Sequence, residues 1–191
     1  MDHCKEIFEK FLDIHDPECL KLMSRSGVVR RYKKGAVIAS CGEMQKEIPF
    51  IISGSFWCYF TDLSGRRIAD CVLQDPGWPV TPVSKPEDFF KPLDVCIATL
   101  EASEAYCIPT EVIVEAIGKY EEVRAAMGRL ITVSLGYHRK LQLFTGITVA
   151  ERYKLFCHLF PGLPERLTLT SIAAILNTNP STLSRVLSGK Q

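Results

Sequence analysis

Long apolar runs are missing from this 191-residue chain. None approaches the roughly 18 residues that could cross a bilayer, and the opening MDHCKEIFEKF carries acidic residues where a secretory signal would have its apolar core. A soluble chain of the cytoplasm is therefore expected, with no membrane partner. Close cysteine pairs are missing too. The eight cysteines stand at 4, 19, 41, 58, 71, 96, 107 and 157, so there is no CxxC metal or redox pair. Several lie inside apolar runs such as SFWCYF and DVCIATL, where a thiol behaves as a small hydrophobe and a reducing compartment is implied. Histidine is scarce: His3, His15, His138 and His158 all fall outside the strand-rich region. A metal-dependent enzyme of cupin type needs two or three histidines with a carboxylate converging inside its barrel, so neither catalysis nor a cofactor is expected. Finally, no acidic residue follows Glu165. The formal net charge is only +1, yet residues 1–118 carry a net −5 and the remainder a net +6. That asymmetry is what one expects if only the C-terminal part meets a polyanion.

What is present divides the chain into three parts. In residues 1–118, Ile7, Phe8, Phe11, Leu12 and Ile14 have helical spacing, and ECLKLMSRSG adds a helical turn or two before Gly27. From about 28 to 109 the pattern changes to short runs rich in Val, Ile, Phe, Tyr and Thr: VVRRYK, AVIAS, PFIIS, SFWCYFT, RRIADCVL, DVCIATL and EAYCIP. Turns at Lys34-Gly35, Ser53-Gly54 and Asp62-Leu63-Ser64-Gly65 punctuate them, predicting a β-roll of about eight strands. The stretch QDPGWPVTPVSKPEDFFKP has four prolines after Pro76 and reads as a long irregular loop.

Residues 119–146 predict a long helix and a hinge at Gly146. Val123, Met127, Leu130, Ile131, Tyr137, Leu141 and Phe144 fall near a three-four repeat. The helix could pack on its own barrel, but about 24 residues span roughly 36 Å, more than a barrel of that size easily covers. A second copy is the expected partner, with these seven residues at a homodimer interface.

Residues 147–191 predict three short helices, at about 149–160, 170–176 and from Pro180 onward, with the turn Asn177-Thr178-Asn179 before the last. Two short helices joined by a polar turn, with Ala173 small at their crossing and Ile172, Ile175, Leu176, Leu183 and Val186 apolar, form a helix-turn-helix pattern. Readers of double-stranded DNA place the start of the second helix in the major groove, where Ser and Thr serve bases or phosphates and Arg takes guanine O6 and N7 together. The residues expected to meet DNA are Ser171, Asn179, Pro180, Ser181, Thr182, Ser184, Arg185 and Lys190. Arg152 and Lys154 of the preceding helix are further phosphate candidates. The poor basicity of residues 168–191 leaves a second reading, a ligand-binding or protein-interaction module that no longer reads DNA.

The order of helix, β-roll, long helix and helix-turn-helix, with ERYKLF leading to LTLTSIAAILNTNPSTLSRVLSGK, resembles the Crp/Fnr superfamily of bacterial transcription regulators. The glycine punctuation of KKGAVIASCGE and IISGSFWCYF resembles that family's sensory domain. The resemblance implies an α+β fold: an N-terminal β-roll of the double-stranded β-helix, cupin-like kind, a long dimerisation helix and a small C-terminal helix-turn-helix domain. It implies that Pro180, Ser181, Thr182 and Arg185 match DNA-reading positions. It also implies a small-molecule effector, and RNA polymerase as a partner if the protein activates. Chain termination at Gln191 leaves little room for a wing beyond the recognition helix.

The effector region departs from the family pattern. Cyclic-nucleotide sensors hold the phosphate with backbone N–H groups and an Arg-Ser or Arg-Thr pair. The corresponding PGWPVTPVSKPEDFFKPLDVCIATLE has no arginine, and Glu87, Asp88 and Asp94 would repel a phosphodiester. A cyclic nucleotide is not expected; Trp78, Lys85 and Lys91 are the candidates for some other effector. The iron–sulfur sensors of the family use closely spaced N-terminal cysteines, which Cys4 and Cys19, fifteen apart, do not provide.

Overall fold

The computed structural model describes residues 2–82, 91, 93–142, 144 and 146–189, with the side chains of 137, 138, 140 and 141 outside that set. Lys85 and Lys190, and the side chains of Tyr137 and Leu141, therefore lie outside the described residues.

Seven strands, β1 (Val28–Tyr32), β2 (Val37–Ala39), β3 (Glu47–Ser53), β4 (Phe56–Thr61), β5 (Arg67–Leu73), β6 (Cys96–Thr99) and β7 (Ser103–Pro109), form two antiparallel sheets, of order β1-β7-β3 and β2-β6-β4-β5. All seven expected segments form strands, one fewer than the eight anticipated, among the described residues. The turn glycines Gly35, Gly54 and Gly65 have φ of 75°, 86° and 81°, the left-handed region that side chains resist.

Strand alternation sorts the core into three layers. Between the sheets lie Ile51, Phe56, Cys58, Cys71, Leu73, Ile97, Ala105 and Cys107. The outer face of the first sheet, Ile48, Phe50, Tyr106 and Ile108, is covered by N-terminal helical segments. The outer face of the second, Trp57, Tyr59, Val72, Ala98 and Leu100, is covered by the C-terminal helices. Strand β4 is consequently buried on both faces, which explains why its sequence is continuously apolar instead of alternating.

The N-terminal segment Lys5–Phe11 winds as a π-helix, wider than the α-helix its spacing predicts. Leu12 N–H donates to the Ile7 carbonyl at 2.9 Å and Ile14 N–H to Phe8 at 2.8 Å, bringing Phe8, Leu12 and Ile14 into one core. Helix α1 (Pro17–Ser26) is capped by Asp16, whose carboxylate accepts from Cys19 N–H at 2.9 Å. At its end Gly27 is required by close approach, since a Cβ there would lie 2.1 Å from the Tyr106 ring.

Helices α2 (Thr110–Lys119) and α3 (Glu121–Gln142) follow, separated by the extended backbone of Tyr120. The Glu122 carboxylate accepts from the backbone N–H groups of His15 and Asp16, and Arg129 donates to the Leu12 carbonyl. The first half of α3 is thus stitched to its own N-terminal segment. Helices α4 (Val149–Leu159), α5 (Leu163–Arg166), α6 (Leu169–Ile175) and α7 (Pro180–Leu187) complete the fold; α5 was not anticipated.

Within one chain the residues expected at a dimer interface are divided among its own cores. Val123 is buried in its own chain's core, where Met127 and Leu130 also pack, because the first half of α3 packs with the N-terminal helical segments and α2. Phe144 is buried among the C-terminal helices. Of the described members of that set only Ile131 remains half-exposed with no place in these cores. None of the described α3 residues forms a span apolar enough to cross a membrane.

Candidate nucleic-acid interface and its seat on the roll

Helix α4 opens with a capping box. Thr148 Oγ1 accepts from Glu151 N–H at 3.3 Å, and Glu151 accepts from Thr148 N–H at 2.8 Å. The Thr148 hydroxyl, donating to the Glu151 carboxylate at 2.7 Å, and then the Thr148 N–H hold that carboxyl below its ordinary pKa. Gly146, with φ of 80°, makes the bend before it. Thr168 caps α6, and its hydroxyl lies 2.9 Å from that of Ser171. The α6–α7 turn passes through Asn177 with φ of 49°, a conformation asparagine tolerates better than most residues. Pro180 then begins α7, where its missing N–H costs nothing.

Helix α7 is two-sided. Leu183 is fully buried with Ile172, Ala173 and Leu176, while Ser181, Ser184, Arg185 and Ser188 share the opposite, exposed face. Asn179 and Pro180 are exposed at its start, Thr182 is half-buried, and no side chain caps its first amides. Arg185 forms no ion pair among the described residues. The Ser188 hydroxyl donates to the Arg185 carbonyl at 3.0 Å. Ser171 is half-buried, its hydroxyl engaged with Thr168. Arg152 is corrected as a phosphate candidate: its guanidinium donates to the carbonyls of Ile147, Leu176 and Asn177, closing the end of α6. Lys154 is exposed.

The C-terminal helices cover the second sheet, α6 packing on β5 and α7 packing on α4 and α6. Phe156, Phe160, Leu163 and Leu167 join Trp57, Tyr59, Val72 and Leu100 in one apolar layer. Trp57 stacks on Tyr59 with centroids 4.5 Å apart. At the margin Arg166 donates to Glu101 at 2.8 Å and to Gln74 at 2.9 Å, bridging α5 to two loops of the roll.

No family model matches the sequence, and no curated protein matches it. Solved structures do. One described as a transcriptional regulator of the Crp/Fnr family, from Eubacterium rectale, superposes with a TM-score of 0.77 at 18% identity, covering 96% of this chain and 87% of that one. The fold is that of the Crp/Fnr regulators. FixK2 from Bradyrhizobium japonicum has a TM-score of 0.67 at 15% identity, covering 85% and 83% of the two chains. The c-di-GMP-responsive global regulator CLP of Xanthomonas campestris has a TM-score of 0.66 at 16% identity, covering 91% of each.

Within this Crp/Fnr fold the roll interior is filled. Phe56, Cys58, Cys71, Leu73, Trp78, Val80, Leu93 and Val95 occupy the space between the sheets. Gln45 donates to the Val80 carbonyl at 2.7 Å, while its Oε1 and the Ser55 hydroxyl have no hydrogen-bond partner among the described residues. No arginine lies in that interior, and no group of three or more metal-binding side chains forms among the described residues. Of the effector candidates, Trp78 is buried, edge-on to Phe11 at 6.2 Å, and Lys91 is exposed.

Proposed function

We propose that this chain is a homodimeric, DNA-binding transcription regulator of the Crp/Fnr type, whose β-roll senses an effector other than a cyclic nucleotide. The observation that carries the reading is the outward face of α7, where Ser181, Ser184, Arg185 and Ser188 stand exposed at the helical spacing that meets a major groove. Uncapped amides at the start of α7 add a phosphate site, and Lys154 a backbone contact. In the cell such a protein works in the cytoplasm, and an activator would also contact RNA polymerase.

Dimerisation belongs to the strip that α3 leaves open. Ala125, Gly128, Thr132, Leu135 and Arg139 recur at three- and four-residue spacing on its exposed side, with Leu135 at 61% and the adjacent Val133 at 48% exposure. Small residues there let two helices approach closely, with Leu135 and Val133 as the apolar contacts. Effector binding shifts the population between two placements of the paired α7 helices, so that both half-sites, one DNA turn apart, are reached together.

The test is selection from random DNA duplexes with reduced protein, followed by a salt titration of the winner. The expected result is a two-fold symmetric site whose affinity falls steeply with salt, and a loss of about 1–3 kcal/mol with relaxed base preference in Arg185→Ala. A specific observation favours the second reading: Arg185 is the only charged side chain on α6 and α7. If no sequence is enriched, either by the protein alone or with its effector bound, the chain is an interaction module and not a DNA reader.

A further inference from the structure

An apolar cavity of about 250 Å³ lies outside the roll interior, between the N-terminal π-helix, β3, α2 and the middle of α3. Its deep wall is Phe8, Ile14, Met23, Ile48 and Phe50, each nearly inaccessible to solvent. Its outer wall is Met127, Leu130, Ile131, Ser134 and Leu135 of α3, faced by Trp78, Pro79, Thr81 and Pro82. The space opens to solvent at its rim, where Leu135 is exposed, and closes on the buried side chains of its deep wall.

We propose that this cavity is the effector site, and that its ligand is a small, uncharged aromatic molecule of about two fused rings. The proposal rests on the sensory role assigned to the N-terminal domain above. Size comes first. A dry apolar cavity of about 150 Å³ accommodates benzene, whereas drug-sized pockets run from about 300 Å³ upward, and a helix about 10 Å across is far too large. Chemistry comes second. Among the described residues no charged side chain lines the cavity, and the side-chain hydroxyls there are those of Thr81 and Ser134. An ion would lose its hydration there without compensation, while one ligand hydroxyl can be met. Shape comes third. Phe8 and Phe50, edge-to-face with centroids 4.9 Å apart, Trp78, and the thioethers of Met23 and Met127 form a surface suited to a flat π-system.

The position gives occupancy a consequence. One wall of the cavity is α3, which runs on to Phe144 and the C-terminal helices, and Leu135 at the cavity rim also stands on the open strip assigned to the second protomer. A ligand that fills the space holds Ile131 and Leu135 in one position and so biases the pairing of two α3 helices.

The experiment is isothermal titration calorimetry and thermal melting of the full-length reduced protein with 2-naphthol and indole, and with 1-naphthoate as the charged counterpart. Saturable binding of the neutral probes that raises the melting temperature, at least tenfold weaker for naphthoate, is expected. Ile131→Trp, which plugs the outer part from a half-exposed position, should weaken 2-naphthol at least tenfold. Ala126→Leu fills the inner part and serves if the first variant does not fold. Absence of saturable binding to the wild-type chain, or unchanged affinity in a folded plugged variant, overturns the proposal. DNA selection run on the same variants separates the two ideas, since plugged variants that still select a symmetric site leave the DNA-reading role intact.

Discussion

The Arg166 bridge makes the docking of the C-terminal helices measurable. Arg166 donates to Glu101 and Gln74, and its Nε to the Gly162 carbonyl at 3.1 Å, so removing it takes two contacts across the domain boundary and one within its own segment. A double-mutant cycle of Arg166→Ala with Glu101→Ala isolates the pair from the rest. Hydrogen bonds to charged groups contribute about 1.5–3 kcal/mol when sheltered, and exposed ion pairs about 0.2–1 kcal/mol. The Arg166 side chain is 42% exposed and Glu101 17%, which places the coupling at the upper end of the exposed range once solvent screening is counted, about 1 kcal/mol. That amounts to roughly a fivefold change in the docked-to-undocked ratio. Urea unfolding of the four proteins gives the coupling, and fluorescence of Trp57, buried beneath the docked helices, reports undocking before global unfolding. Leu163→Ala is the apolar comparison: this fully buried residue should cost about 2–5 kcal/mol, showing that the apolar layer dominates and the bridge sets alignment. A coupling below about 0.3 kcal/mol, within the additivity of independent sites, refutes the claim that this pair holds the two parts together.

Three further outcomes follow from particular geometries. Gly54→Ala combines a φ of 86° with a Cβ placed 2.3 Å from Ser103 Oγ and 2.7 Å from its Cα. It should lose at least about 2 kcal/mol in urea titration, more than Gly65→Ala, where φ is 81° but the space is empty; equal losses would mean that backbone strain alone acts at Gly54. Glu151, held below its ordinary pKa of 4.5 by Thr148, stabilises the start of α4 above that pH and ceases to as pH falls through its lowered folded value. The melting-temperature gap between wild type and Thr148→Ala should therefore narrow from pH 6 on acidification, leaving the part due to the N-cap bond from Glu151 N–H; a gap independent of pH would sink this account. Burial pushes the Cys4 and Cys19 thiols up to about 11, whereas Cys41 is exposed, so at pH 8 iodoacetamide should label Cys41 first and the other two only on unfolding. Equal labelling rates, read by mass spectrometry, would contradict the packing of the N-terminal helices.

The helix-turn-helix and the strand segments were legible in the sequence because local signals carry them: Thr168 and Pro180 at helix starts, Gly35, Gly54 and Gly65 in turns, Leu183 against Ala173. Periodicity says that a face is buried but not against what. The three-four repeat through Val123, Met127 and Leu130 was real, yet the surface that claims it is the chain's own N-terminal core. Phe144 follows the same repeat and belongs to the C-terminal layer because the chain has already turned away from α3. Arg152 looked available because nothing in its neighbourhood of sequence reveals that the end of α6, 24 residues on, needs a donor. The cavity is likewise assembled from the N-terminal segment, β3, the loop around Trp78, α2 and α3, and no local pattern announces such a meeting.

Strand β4 separates two apolar masses with the thickness of a single sheet. Its outer side chains Trp57 and Tyr59, with Val72 and Leu100 beside them, meet water whenever the C-terminal helices lift away. Exposure of that apolar surface raises the heat capacity, so the free energy of lifting is curved in temperature and its hydrophobic part weakens on cooling. The freedom of the recognition helix to reorient is therefore tied to temperature through the same residues that keep the roll closed, and cold loosens that contact as well as heat.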